Sequence, residues 1–401
     1  MNDTGQAKVD QIVASLQRVL PPNRGPYALH EPRFTDLEKH NVIQCIDEGW
    51  VSSAGRFIEQ FEANLAQYTG VRHAVAVVNG TAALHLALHV AGVSAGDEVL
   101  IPSLSFVATA NAVHYCGAIP HFLDSSPSDF GIDAAGAREY LRNLIVPGLY
   151  GPKNRHTGRR IAALVAVHIF GHPCQLDELS ELCAELGIPL IEDAAESLGS
   201  SYKGRHTGNH GLLTALSFNG NKIVTTGGGG AVLTGNELLA RKARHLATTA
   251  KIPHQWAYFH DEAGFNYRLP NLNAALGCAQ MTRLSGFVAD KRKLAGAYRA
   301  ALAGVDGVRF IEEPANCTSN YWLNALSIEG ADAAFRDRVL AALHQSNIMA
   351  RPLWTLLHRL PMYSNCPRMA LDCAAGLELS LVNLPSSPFL ANSPNVGATK
   401  A

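Results

Sequence analysis

Between residues 74 and 192 the chain alternates short apolar runs with amphipathic ones, and this alternation limits the fold more than any other feature. Residues 74–78, 98–101, 118–123, 161–168 and 188–192 each read as a buried strand. Residues 82–90, 106–115 and 176–186 carry apolar side chains at helical spacing. Strands separated by helices pair in parallel, and helices then cover both faces of the sheet. Ligands of such sheets bind outside the carboxyl ends of the strands. The segments to search are therefore Asn79-Gly-Thr81, Ser103-Leu-Ser-Phe106, Asp193-Ala-Ala-Glu196 and Ser217 to Lys222.

With 401 residues, the chain has room for a large core and a second, smaller unit. The division predicted is a large unit over 1–288, including the amino-terminal helices, and a small carboxyl-terminal unit over 289–401. Thr35 and Glu38 form a T-x-x-E capping box at the start of an amphipathic helix with Leu37, Val42, Ile43 and Ile46. A loop with Trp50, Val51 and Ser52 follows; Trp50 either caps the core or walls a pocket. The next helix turns Ile58, Phe61, Leu65 and Tyr68 inward and stops at Gly70. A long helix over 287–302 leads to the small unit, with strands at 308–311 and 322–327 and a helix at 333–344. The polar tail from Ser393 reads as mobile.

Several classes are disfavoured. A formal net charge of -1 offers no global attraction to nucleic acid or an anionic membrane. The start lacks a secretory pattern, and the apolar run 161–170 is too short to span a bilayer, so a cytoplasmic location is expected. The 8 cysteines show no C-x-x-C spacing and read as reduced core residues. His85/His89 and His168/His172 lack the partners of a metal site, so no metal is expected.

The most informative stretch is Ser217-Phe-Asn-Gly-Asn-Lys222 followed by Ile-Val-Thr-Thr and four glycines. A lysine set in Gly- and Thr-rich backbone beside a core strand is suited to imine formation, since dry surroundings favour a free amine. A surface lysine in a flexible loop is the plainer alternative. Gly80 and Thr81, between a strand and a helix, offer amide N–H groups to a phosphate, or form an ordinary helix cap. Ser217 adds a hydroxyl. Asp193 ends a strand, where its carboxylate would pair with a protonated ring nitrogen, and Phe106 could stack on that ring. An anion turn, a strand-end Asp and a strand-end Lys in this order together point to pyridoxal 5′-phosphate (PLP).

The motifs Asn79-Gly-Thr-Ala-Ala-Leu84, Pro102-Ser-Leu-Ser-Phe-Val-Ala-Thr-Ala-Asn111, Glu192-Asp-Ala-Ala-Glu196, Ser217 to Gly230 and Gly264-Phe-Asn-Tyr-Arg268 resemble those of the DegT/StrS nucleotide-sugar aminotransferases. The likeness runs from about residue 31 to residue 388. The F-N-G-N-K and T-T-G-G-G-G variants are similar to the branch that makes 4-amino sugars for legionaminic acid or bacillosamine. Gly228 departs from the many members with glutamate there, which loosens the inference about the sugar.

The resemblance implies the PLP fold type I of aspartate aminotransferase: an α/β large domain with a mostly parallel seven-stranded sheet and a smaller C-terminal α/β domain. It implies Lys222 as the Schiff-base lysine and Asp193 on the pyridine nitrogen. Glu196 would lie near the ring hydroxyl and Phe106 against the ring. Gly80, Thr81, Ala82, Ser217 and Asn219 would complete the cofactor site. Asn266 would reach the phosphate of a neighbouring subunit, making the active unit a homodimer with shared sites. Trp50, Val51, Ser52, Arg268, Arg351 and His358 are the candidates for the sugar or its diphosphate; a salt bridge at the domain interface is the other reading of Arg351. The expected reaction moves an amino group, from glutamate, onto C4 of a UDP-linked 4-keto-6-deoxy-N-acetylhexosamine. A PLP-dependent sugar dehydratase or deaminase, or a non-catalytic PLP-binding regulator, are the alternatives.

Overall fold

The apolar runs become strands of one sheet in the computed structural model, which describes residues 3–22 and 25–392. The tail from Ser393 lies outside the described residues. The strands are β1 (His73–Val77), β2 (Glu98–Pro102), β3 (Ile119–Leu123), β4 (Ile161–Val167), β5 (Leu190–Asp193), β6 (Leu213–Ser217) and β7 (Gly230–Thr234). Their order across the seven-stranded sheet is β1-β7-β6-β5-β4-β2-β3. From β6 to β3 each pair is parallel, as the alternation predicts, and only β7 runs antiparallel, between β1 and β6. This one reversal matters. The link from β6 to β7 stays at the carboxyl edge of β6, so residues 218–229 close there, beside the turn that leaves β1.

Twelve α-helices, besides four short 3₁₀ helices, are present among the described residues. They are α1 (Asp3–Val19), α2 (Asp36–Asp47), α3 (Arg56–Thr69), α4 (Gly80–Val90), α5 (Ala108–Tyr115) and α6 (Ala134–Leu144). The others are α7 (Leu176–Leu186), α8 (Glu237–Ala247), α9 (Asn271–Met281), α10 (Leu284–Leu302), α11 (Ala333–Gln345) and α12 (Asp372–Ser380). Successive strand residues point to opposite faces, and both faces are dry: Val75 and Val77 join one cluster, Ala74 and Ala76 another.

A second sheet is built from β8 (Val308–Phe310), β9 (Asn324–Ile328), β10 (Arg351–Pro352) and β11 (Leu381–Leu384), all antiparallel in the order β8-β9-β11-β10. The expected division by chain order misplaces α1. Val9, Ile12, Leu16 and Val19, spaced for one helical face, pack with Leu294, Tyr298, Leu302 and Leu343 of α10 and α11 in the small unit. Nor is there a clean cut after residue 288, because α10 buries Leu284 and Phe287 in the large unit and Leu294 to Leu302 in the small one. Residues 322 and 323, expected in a strand, instead precede β9.

Helix α2 is amphipathic, yet its apolar stripe is not covered. Thr35 and Glu38 form the expected box, and the buried carboxylate of Glu38 is satisfied in part by Gln280, which donates to its Oε1 at 2.6 Å. Leu37, Ile43 and Ile46 face outward, together with Phe34, Trp50 and Val51. A patch of this kind marks a contact surface. Within the small unit, Leu16→Ala should lower unfolding stability in denaturant by about 2–5 kcal/mol. An unchanged midpoint would mean that α1 is not part of the core.

Candidate active site

The loop after β6 is fastened at both ends. Phe218 N–H donates to Gly229 O at 2.8 Å, and Thr226 N–H donates back to Phe218 O at 2.9 Å. Phe218, Ile223 and Val224 are buried, so the apolar residues of the loop tie it to the core while Lys222 is turned into a cleft. Its side chain is 13% exposed, which sets aside the surface-lysine reading. Its Nζ lies 3.7 Å from the ring centroid of Trp322 and 3.4 Å from Glu196 Oε1.

Two neighbouring acids show how strand geometry sorts roles. Glu192 and Asp193 point to opposite sides of β5. Glu192 accepts N–H bonds from Gly208, His210 and Gly211 and meets His168 at 3.1 Å. Burial alone would raise its carboxyl, but His168 and these N–H groups hold it down at about 2. Asp193 faces the cleft. Its Oδ2 accepts from Thr109 Oγ1 at 2.8 Å and its Oδ1 from Ala195 N–H at 3.2 Å. Burial pushes this carboxyl above the usual range, against the pull of the Thr109 bond. Glu196 is raised further, to about 7, again by burial and despite Lys222. Its Oε2 accepts from Phe170 N–H at 2.9 Å.

On the far side of the cleft, α4 begins. Asn79 caps it by accepting from Ala82 N–H at 2.7 Å, so the amide of Ala82, counted among the expected cofactor contacts, is engaged in the cap. Gly80 and Thr81 line the cleft. A Cβ on Gly80 would stand 2.7 Å from Cβ of Ser217, and one on Gly230 would stand 2.4 Å from Asn79 O. Glycine at both positions lets the positive end of α4 approach the ends of β6 and β7, which makes a cradle for an anion.

Eight of the expected residues meet around this cavity of about 290 Å³: Gly80, Thr81, Phe106, Asp193, Glu196, Ser217, Asn219 and Lys222. Phe106 is 52% exposed at its rim, edge-on to Trp354 at 6.3 Å. The donor set suits PLP: an anion cradle at one end, a carboxylate without a cation bonded to it, and a primary amine between them. Arg351 lines an adjoining cavity of about 630 Å³ that shares Asn221, Trp322 and Trp354 with the first. Arg351 forms no ion pair among the described residues.

The remaining candidates lie elsewhere. The Arg268 guanidinium is engaged by Glu62, which also pairs with Arg244 at 3.0 Å and accepts from Ala76 N–H at 2.8 Å. It therefore clamps α3 to β1 and is not a wall of the cleft. His358 Nδ1 is bonded to Ser103 Oγ at 2.7 Å and lines neither cavity. Trp50 is 55% exposed, so within one chain it neither caps the core nor walls the cleft. Val51 and Ser52 are exposed beside it, and Trp50 O and Ser52 O accept from Asn271 at 2.7 and 2.6 Å. Asn266 pairs with Thr248 beyond α8, outside its own chain's cleft.

Trp322 and Trp354 of the cleft escaped the sequence reading, while Ser105, Thr109 and Asn221 lay inside the segments and motifs singled out but were given no role. The spacing of Ser105 and Thr109, four apart just after a strand, was a usable signal. Trp322 was not legible, because it comes from the other unit. Its Nε1–H donates to Asn221 O at 2.8 Å and its carbonyl accepts from buried Lys291 at 3.1 Å, so its indole face is held over Lys222.

The raised carboxyl of Glu196 has a measurable consequence for the cofactor-free protein. A carboxyl at about 7 when folded and near 4.5 when unfolded favours the folded state fully below pH 4.5, and that advantage is lost as pH rises through 7. Glu196→Gln should therefore flatten the fall in stability between pH 5 and 8, by up to about 3 kcal/mol. Equal pH slopes for the two proteins in denaturant titrations would contradict the assignment.

The comparisons with known proteins agree with this geometry. The model of the DegT/DnrJ/EryC1/StrS aminotransferase family matches residues 32–396. The chain is 37% identical over 364 residues to the GDP-perosamine synthase of Caulobacter vibrioides, covering 90% of this chain and 93% of that one. It is 30% identical to the UDP-N-acetyl-3-dehydro-alpha-D-glucosamine 3-aminotransferase of Acidithiobacillus ferrooxidans, covering 82% and 83% of the two chains. The crystal structure of the aminotransferase TlmJ from Streptoalloteichus hindustanus superposes with a TM-score of 0.80 at 30% identity, over 90% of this chain and 93% of that one. The chain belongs to the DegT/DnrJ/EryC1/StrS family and is a PLP-dependent sugar aminotransferase.

Proposed function

We propose that this aminotransferase moves an amino group from glutamate to C4 of a UDP-linked 4-keto-6-deoxy-N-acetylhexosamine. The observation that carries the catalytic part is the meeting of Lys222, Asp193 and the Gly80–Thr81 turn in one cleft. A nucleotide sugar as acceptor is supported by the two relatives above, whose names specify a GDP sugar and a UDP sugar. The choice of UDP and of C4 rests on the F-N-G-N-K and T-T-G-G-G-G variants.

When bound, PLP supplies an electron sink and a carrier for the amino group. The protein's residues supply the rest. The N–H groups of Gly80 and Thr81, with the hydroxyl of Ser217, take the phosphate. Asp193 would give the ring nitrogen an anionic partner, and Phe106 at the rim would offer a face for the ring to stack on. Lys222 would hold the cofactor through its Nζ, and the same amine, when free, would be the group placed to move a proton at the donor carbon and at the sugar carbon. Glu196 and Trp322 keep that amine from swinging away. Arg351, in the adjoining cavity, is placed for an anionic group removed from the reacting carbon, as the diphosphate of a nucleotide sugar is.

The same reading makes the working unit a cytoplasmic homodimer. A second copy would cover Leu37, Ile43, Ile46 and Trp50, and would bring its own Asn266 to the cleft. No helix among the described residues is long and apolar enough to cross a membrane.

Two experiments test these points. Lys222→Ala should abolish both the visible absorbance of the lysine-bound cofactor and the formation of an amino sugar, read as product mass; retained transamination would overturn the role of Lys222. Ile46→Asp should shift the protein towards monomer in sedimentation and lower specific activity in step. A fully active monomer would rule out shared sites.

A further inference from the structure

Ser105 and Thr109 stand one helical turn apart where β2 passes into α5, and both are 1% exposed. Buried threonines in this protein commonly give their proton to a backbone carbonyl: Thr69 donates to Leu65 O at 2.7 Å, Thr234 to Leu212 O at 2.8 Å and Thr226 to Gly228 O at 2.9 Å. Thr109 does not. Its Oγ1 lies 2.8 Å from Asp193 Oδ2 and 2.7 Å from Ser105 Oγ.

Proton counting then fixes the direction. An ionised carboxylate only accepts, and a hydroxyl has one proton to give. Thr109 gives its proton to Asp193, so it must accept the proton of Ser105. Both O–H dipoles point their positive ends towards Oδ2. Such aligned bonds strengthen one another and favour the charged carboxylate.

We propose that Ser105 and Thr109 are positioning residues, a one-way hydroxyl relay that orients Asp193 and favours its anionic form for the cationic ring nitrogen of PLP. This rests on the reading of Asp193 given above. The other charged or titratable groups acting on Asp193 are Lys222 from the loop after β6, Glu196 from the segment following β5, and His168 at the end of β4. Lys222 can be engaged by the cofactor itself, which leaves the relay and Ala195 N–H as the constant donors to this carboxylate.

The test compares Thr109→Val, Thr109→Ser, Ser105→Ala and Asp193→Asn. The first readout is the single-turnover rate of the PLP-loaded enzyme with glutamate. The second is the stability of the cofactor-free proteins between pH 3 and 8. Thr109→Val should slow the half-reaction about tenfold to a hundredfold, the worth of one hydrogen bond to a charge, Ser105→Ala should slow it less, and Thr109→Ser should restore it. Without cofactor, Thr109→Val should match the wild type most closely at pH 3 and fall behind it as Asp193 ionises, because loss of the donor penalises only the charged form. A purely structural defect would be the same at every pH.

If Asp193→Asn abolishes the half-reaction while Thr109→Val retains wild-type rate and pH slope, the relay is overturned and the reading of Asp193 stands. If Asp193→Asn is itself fully active, both fall. Should Thr109→Val fail to fold, Ser105→Ala alone decides, since wild-type rate and pH slope in that variant would overturn the relay.

Discussion

Two carboxylates and one amine, all three largely buried, share one cleft, and the rest of the structure serves that grouping. In such surroundings charges are costly unless paired. Lys222 can balance one of the acids, so the other must be protonated or meet a further cation. Burial raises Glu196 to about 7 and raises Asp193 as well, while Thr109 and Ala195 N–H support the charged form of Asp193. The cofactor's ring nitrogen would supply the missing positive charge.

The sheet brings these groups together through one topological feature. Because β7 is inserted antiparallel between β1 and β6, the loop that carries Lys222 and the turn that carries Gly80 emerge side by side. Glycine at 80 and 230 lets the two come within contact, since any side chain there would collide with Ser217 or with Asn79. Alternation along β5 then divides labour between neighbours, with Glu192 locked into backbone N–H groups and Asp193 turned to the site.

The small unit is more than a lid of convenience. It provides Trp322, whose indole lies over the amine of Lys222, and with Trp354 and Arg351 it shapes the adjoining cavity. Lys291 of α10, fully buried, bonds to the carbonyl of Trp322, so the helix that joins the units also steadies this contact. The uncovered apolar face of α2 shows that a single chain leaves part of its surface unfinished.

Much of this was readable from local pattern. Strand and helix alternation predicted a parallel sheet, strand-end positions singled out Asp193 and Lys222, and the glycines marked a close approach of backbone. These features are periodic or local in the chain, so they survive in one dimension. What only the tertiary structure decided is of another kind. Arg268 looked available for substrate and is bound to Glu62; α1 lies at the start of the chain yet packs against its end; Trp322, with no motif of its own, covers the amine of Lys222. Each depends on a contact between residues far apart in the chain, and neither periodicity nor spacing records which distant partner a side chain will meet.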